Sequence, residues 1–109
     1  MDHITLDDPV LAEIVSRLVA AFQPERIYLF GSRARDAASE HSDYDLLVVV
    51  PEDAPAPRRK SRLAYQALRG TRVAADVIVQ TSDEFTGRLG VKASLPASVA
   101  REGKLLYAA

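Results

Sequence analysis

The chain contains no cysteine, and this one absence excludes disulfide frameworks, thiolate zinc sites and cysteine nucleophiles together. An excess of either charge is also missing, with 14 Lys and Arg against 15 Asp and Glu and a net charge of −1. Nothing therefore draws the chain as a whole to nucleic acid or to anionic lipid, and any polyanion has to be held locally. Long apolar runs are absent as well. The longest strongly apolar one, Leu46 to Val50, falls far short of the ~20 residues that cross a bilayer. The opening Met1-Asp2-His3 is not a basic stretch followed by an apolar one, so no secretory signal is read there. No internal repeat or low-complexity tract occurs. These absences together predict a cytoplasmic protein with no membrane partner.

What is present fits one globular domain over residues 1–109, with 48% apolar and 27% charged residues. Asp8-Pro9 predicts a helix start, with a capping carboxylate followed by proline at the first helical position. Leu11, Ile14, Val15, Leu18 and Phe22 then recur at helical spacing until Pro24. Ile27 to Phe30 predicts a strand that stops at Gly31-Ser32, and Arg33 to Ala38 has helix-compatible composition. Tyr44 to Val50 predicts a strand buried on both faces and stopped by Pro51. A proline-rich loop over 51–57 leads to a helix over Arg58–Arg69, ended by Gly70, and then to a third strand over Val73–Val79. Ser82-Asp83-Glu84 predicts another cap, Leu95 to Arg101 a last short helix, and Leu105 to Tyr107 a closing strand. Alternating strands and helices predict an α/β class: a small mixed sheet flanked by helices.

Three features exceed what folding needs. Gly31-Ser32, between a strand and a helix start, forms a turn whose backbone N–H groups can face an anion, with glycine allowing close approach and the Ser32 hydroxyl adding a donor. Alone, an ordinary strand-to-helix turn is the plainer reading. Asp43-Tyr44-Asp45 opens the second strand. In extended chain, residues i and i+2 share a side, so the carboxylates converge while Tyr44 faces away. Like charges so placed repel unless a cation sits between them, and a hard divalent ion such as Mg²⁺ takes carboxylate oxygens and substrate phosphates together. A solvated acidic strand end is the plainer alternative. Asp76 is a carboxylate inside an apolar strand, costly unless paired or metal-bound. A salt bridge to Arg72 or Arg33 would serve as well.

Taken together, the three give G-S-x10-D-x-D with a later lone aspartate on a strand. Gly31-Ser32-Arg33-Ala34-Arg35, then Ser42-Asp43-Tyr44-Asp45-Leu46-Leu47-Val48-Val49, resembles the minimal nucleotidyltransferase (MNT) family of the DNA polymerase β-like superfamily. The resemblance extends to the closing Glu102-Gly103-Lys104-Leu105-Leu106-Tyr107. It implies a nucleotidyltransferase fold in which Gly31, Ser32 and Arg33 hold the nucleotide. Asp43, Asp45 and Asp76 would be the catalytic carboxylates and the Mg²⁺ ligands, with two ions and ATP as substrate. Small proteins of this family are often antitoxins paired with HEPN-domain ribonuclease toxins. The implied activity is transfer of AMP to a tyrosine hydroxyl of such a toxin; the alternatives are neutralisation by binding alone and adenylylation of a small molecule. The sequence departs from the family pattern at Asp36, where members commonly carry glycine, and is expected to lack the second domain that holds base or acceptor in larger relatives.

Arg58, Arg59, Lys60, Arg62, Arg69 and Arg72 place six of the 14 basic residues within fifteen positions, with no acid among them. Such a segment reads as a solvated helix face or as a docking surface for RNA or an acidic partner. A single aromatic, Tyr65, is interleaved with it, so no platform of successive stacking rings is implied and direct nucleic-acid binding is not expected. His3 and His41 lie in polar contexts and are given no metal role.

Overall fold

A computed structural model describes residues 8–34 and 43–109. Helix α1 (Pro9–Phe22) begins where expected. Asp8 Oδ1 accepts from the N–H groups of Val10 at 2.9 Å and Leu11 at 3.2 Å, satisfying two donors that have no intrahelical partner. The helix ends on Gln23 in the left-handed region (φ +48°), whose N–H closes onto the Val19 carbonyl at 2.9 Å, and Pro24 prevents continuation.

Strands β1 (Arg26–Phe30), β2 (Tyr44–Val50), β3 (Ala75–Thr81) and β4 (Lys104–Ala108) form one sheet in the order β3-β2-β1-β4. β1 runs antiparallel to β2 and β4, while β2 and β3 are parallel, so the sheet is mixed. Residues of β2 alternate between two cores. Tyr44, Leu46, Val48 and Val50 join α1 and α2 (Ser61–Ala67) in the larger one. Leu47 and Val49 meet Phe85 of α3 (Ser82–Gly87) and Val99 of α4 (Leu95–Glu102) in the smaller. Burying each large apolar side chain stabilises by about 1.5–3 kcal/mol, so a central strand buried on both faces anchors the layers on either side. Tyr28 and Phe85 stack at 5.4 Å between ring centroids and extend the smaller core.

The sequence expectations differ from the structure in three places. The helix expected over Arg58–Arg69 is split into a 3₁₀ turn over Ala56–Arg59 and α2, separated by Lys60 in extended conformation (φ −119°, ψ 135°). Pro55 and Pro57 carry no N–H, so an α-helical ladder cannot be built through them, and Arg58 closes a tighter bond onto the Pro55 carbonyl at 2.9 Å. The third strand begins at Ala75 rather than Val73. Arg72 takes a positive φ of +60° and the Thr71 hydroxyl accepts from the Val73 N–H at 3.4 Å, so a local turn holds the chain until Ala74. The third cap is Thr81 rather than Ser82. Thr81 Oγ1 accepts from the Glu84 N–H at 3.3 Å and Glu84 Oε1 from the Thr81 N–H at 2.8 Å, a reciprocal capping box. Most of the helix start expected over Arg33–Ala38, with Asp36, His3, His41 and Ser42, lies outside the described residues.

The corner between α4 and β4 is tight. A Cβ on Gly103 would stand 2.6 Å from the Val99 carbonyl oxygen and 2.9 Å from that of Leu29, so only glycine passes without moving backbone.

Candidate active site

The strand pairing collects the candidate carboxylates at one end of the sheet. Asp45 lies opposite Phe30 of β1 and opposite Asp76 of β3. By strand alternation, Asp45 and Asp76 share the face that carries Leu47 and Ile78. Neighbouring strands run about 4.8 Å apart, so both carboxylates project into the same space. Asp45 is half-buried and Asp76 exposed. Asp43 stands one step before β2, exposed, and alternation carried back from Asp45 puts it on the same side.

Gly31 follows β1 directly, with φ +76°. A Cβ built there would overlap the Asp45 Oδ2 oxygen and lie 3.1 Å from its Cγ. Glycine is therefore required twice at this position: for the left-handed backbone, and because the Asp45 carboxylate lies against its α-carbon. The turn reading anticipated close approach by a phosphate; the group that approaches in the structure is the strand's own carboxylate. Ser32 and Arg33 continue the turn, which closes with the Ala34 N–H on the Gly31 carbonyl at 3.2 Å.

The residue between the two aspartates does separate work. Tyr44 is 7% exposed and faces the larger core. Its hydroxyl donates to Asp8 Oδ2 at 2.8 Å, and the Arg33 guanidinium carbon lies 4.0 Å from its ring centroid. Such a cation–π contact contributes about 0.5–2 kcal/mol, more as water is excluded. Asp8 thus uses one oxygen to cap α1 and the other to hold Tyr44. Burial pushes the Asp8 carboxyl up, but the Tyr44 hydroxyl, the two backbone N–H groups and the Arg33 charge together hold it below the usual carboxylate value. Burial and then the bond to Asp8, with its negative charge, push the Tyr44 phenol above its ordinary value against the opposing pull of Arg33. Sequence reading assigned Asp8 only as a helix cap and missed this pair. The available signal was an Asp-Pro cap whose second oxygen needs a donor, but the partner lies 36 residues away.

Of the expected site residues, Gly31, Asp45 and Asp76 are brought together directly. Asp43 flanks them, Ser32 lies in the adjoining turn, and Arg33 is anchored on Tyr44 beside it. Among the described residues no three acidic or histidine side chains already converge as a ligand cluster. The donor set suits a hard divalent ion nonetheless: carboxylate oxygens on one face, with one seated in a recess that any side chain at position 31 would fill.

A mixed sheet with an aspartate pair in register and a glycine turn laid against one of them defines a nucleotide-transfer class of fold. Residues 10–104 match the nucleotidyltransferase domain family, and the chain belongs to it. No curated protein matches the chain. Among solved structures, a Sulfolobus solfataricus protein assigned as a nucleotidyltransferase is 26% identical; the match covers 88% of this chain and 75% of that one, with a TM-score of 0.57. A toxin-antitoxin structure with AMP-PNP is 20% identical over 90% of this chain and 73% of that one, with a TM-score of 0.60. An MntA–HpeT toxin-antitoxin structure, in which two aspartates two positions apart are changed to glutamate, is 18% identical over 90% of this chain and 72% of that one, with a TM-score of 0.57. At those two identities the likeness is one of fold. No helix among the described residues is long and apolar enough to cross a membrane.

Proposed function

We propose that this protein transfers AMP from ATP to a tyrosine hydroxyl of a HEPN-domain ribonuclease toxin in the cytoplasm and thereby acts as its antitoxin. The observation that carries the reading is the register of Asp45 with Asp76, with Gly31 cleared for the Asp45 carboxylate. The similar fold with AMP-PNP and the similar toxin-antitoxin folds support the nucleotide and the class of partner. Asp43, Asp45 and Asp76 would hold two Mg²⁺ ions. These would screen the triphosphate charge and favour departure of pyrophosphate.

Gly31 and Ser32 offer backbone N–H groups and a hydroxyl to the phosphates, and Arg33 supplies positive charge beside them. In the transfer, the tyrosine oxygen forms a bond to the α-phosphorus, the bond to pyrophosphate breaks, and the tyrosine proton leaves to a base. Asp76, exposed at the strand's edge, orients that hydroxyl and accepts the proton. The test is intact-mass measurement of the toxin after incubation with ATP and Mg²⁺, followed by removal of this protein. A toxin that is heavier by whole adenylates and stays inactive supports transfer. A toxin of unchanged mass that regains full ribonuclease activity supports neutralisation by binding alone.

A further inference from the structure

The turn that follows β1 is gripped from two sides by consecutive residues of β2. Asp45 lies against the Gly31 α-carbon on the face that carries the carboxylates. Tyr44 points to the opposite face, and the Arg33 guanidinium stands 4.0 Å from its ring centroid. Ala34, whose N–H closes the turn onto the Gly31 carbonyl, is buried in the same core as Tyr44. The turn therefore straddles the start of β2, with its glycine on the open side and its arginine on the closed side.

A contact positions a turn only where it is itself immobile, and Tyr44 is held in three ways. Its N–H donates to the Ala74 carbonyl at 3.0 Å, its ring is enclosed by the larger core, and its hydroxyl donates to Asp8 Oδ2 at 2.8 Å. Asp8 is held in turn by the Val10 and Leu11 N–H groups that it caps. Packing alone asks for an aliphatic side chain on this face of β2, as at Leu46, Val48 and Val50. A phenol at position 44 adds two things an aliphatic lacks: a π face for a cation and a donor for a carboxylate.

We infer that Tyr44 is a positioning residue for the nucleotide: by stacking against Arg33 it holds the Gly31–Ser32 turn at a set distance from Asp45 before the nucleotide arrives, and Asp8 acts through the Tyr44 hydroxyl. This rests on the transferase reading. A turn already in place needs no ordering on binding, whereas a turn released from Tyr44 is competent for only a fraction of the time, and the apparent affinity falls by that fraction. Once the nucleotide is bound the turn is in place in either protein, so the rate of transfer at saturation is kept.

The test is isothermal titration with Mg²⁺ and an ATP analogue that carries a methylene bridge between the α- and β-phosphorus, run well below each variant's melting transition. Tyr44→Leu keeps apolar volume but loses the ring, and should weaken binding about tenfold, the size of one partly buried cation–π contact. Tyr44→Phe keeps the ring and should weaken it only about two- to threefold. Combined with Arg33→Met, Tyr44→Leu should add no further loss. With ATP and the toxin as acceptor, Tyr44→Leu should raise KM for ATP by the same factor and leave kcat unchanged, whereas a merely structural role would lower kcat at constant KM. Native affinity in Tyr44→Leu overturns the inference, as do additive losses in the pair. Should Tyr44→Leu not fold, the same cycle with Tyr44→Phe and Arg33→Met decides, since Tyr44→Phe keeps the core filled and Arg33 is only half-buried. A native protein that binds no analogue overturns the transferase reading and this one with it; native binding with unaffected variants overturns this one alone.

Discussion

Tyr44 and its two flanking aspartates occupy three consecutive positions yet meet opposite environments. Tyr44 is enclosed, bonded to Asp8 and covered by Arg33. Asp43 and Asp45 look out from the other side of the strand toward solvent and Asp76. One side of the chain is fixed so that the other can remain charged and accessible. Strand alternation makes this possible, because a side chain anchored at position 44 sets the direction of its neighbours at 43 and 45. The comparison also separates the two kinds of cost. Charges on the open side face the candidate site, while those on the closed side hold the fold together.

The sharpest way to break the comparison is Asp45→Ala. It should reduce transfer by about 10² to 10³-fold while the protein still melts cooperatively, as read by single-turnover transfer and calorimetry on the same sample. Collapse of the fold would move Asp45 to the closed, structural side. Next in size is Gly31→Ala, which forces a side chain into the left-handed region at about 1–2 kcal/mol and against the Asp45 carboxylate. Melting temperature and transfer should both fall. In an Asp45→Ala background the same substitution should cost less stability, because the overlap with Oδ2 is gone. A double-mutant cycle measures that coupling, and simple additivity would contradict the contact.

On the closed side, Tyr44→Phe keeps the ring beneath Arg33 but removes the hydroxyl from Asp8. It should cost about 1–2 kcal/mol in urea unfolding, with a smaller effect on transfer than Asp45→Ala. The pH dependence follows in sign. Asp8 has a folded-state value below 3.8, so its contribution is fully present well above that value and is lost as pH falls through the lower, folded-state one. Tyr44 has a folded-state value above 10.0, so its contribution is present below 10.0 and declines as pH climbs from there toward the raised value. The stability gap between the native protein and the Asp8→Asn, Tyr44→Phe double variant should therefore be flat at neutral pH and close at both extremes. Ser32→Ala should have the smallest effect. One hydroxyl donor in a turn that keeps its backbone N–H groups is worth a few-fold in nucleotide affinity, and isothermal titration should show that loss with an unchanged melting temperature.

Much of this was legible because its causes are local. Asp8-Pro9 and the stripe from Leu11 to Phe22 specify α1 from neighbouring residues alone, and the apolar run after Asp45, stopped by Pro51, reads as a strand buried on both faces. Gly31-Ser32 and Asp43-Tyr44-Asp45 were visible as motifs for the same reason. The pairing of Asp45 with Asp76 was not, since register depends on how β2 and β3 slide past each other. The Asp8–Tyr44 bond spans 36 residues and leaves no periodic trace. The later start of β3 came from a single backbone conformation at Arg72, which composition does not reveal, whereas the 3₁₀ turn ahead of α2 follows from Pro55 and Pro57, which the sequence does show.

Gly103 lies in neither of these environments, yet its neighbours reach the site. The Leu29 carbonyl it leaves room for belongs to the strand that delivers Phe30 and Gly31 to the turn. Any side chain at 103 would press that strand from behind. In a genetic screen for lost function, replacements of Gly103 would be recovered alongside replacements of the aspartates, and scoring the phenotype alone would assign to chemistry what is a displaced strand.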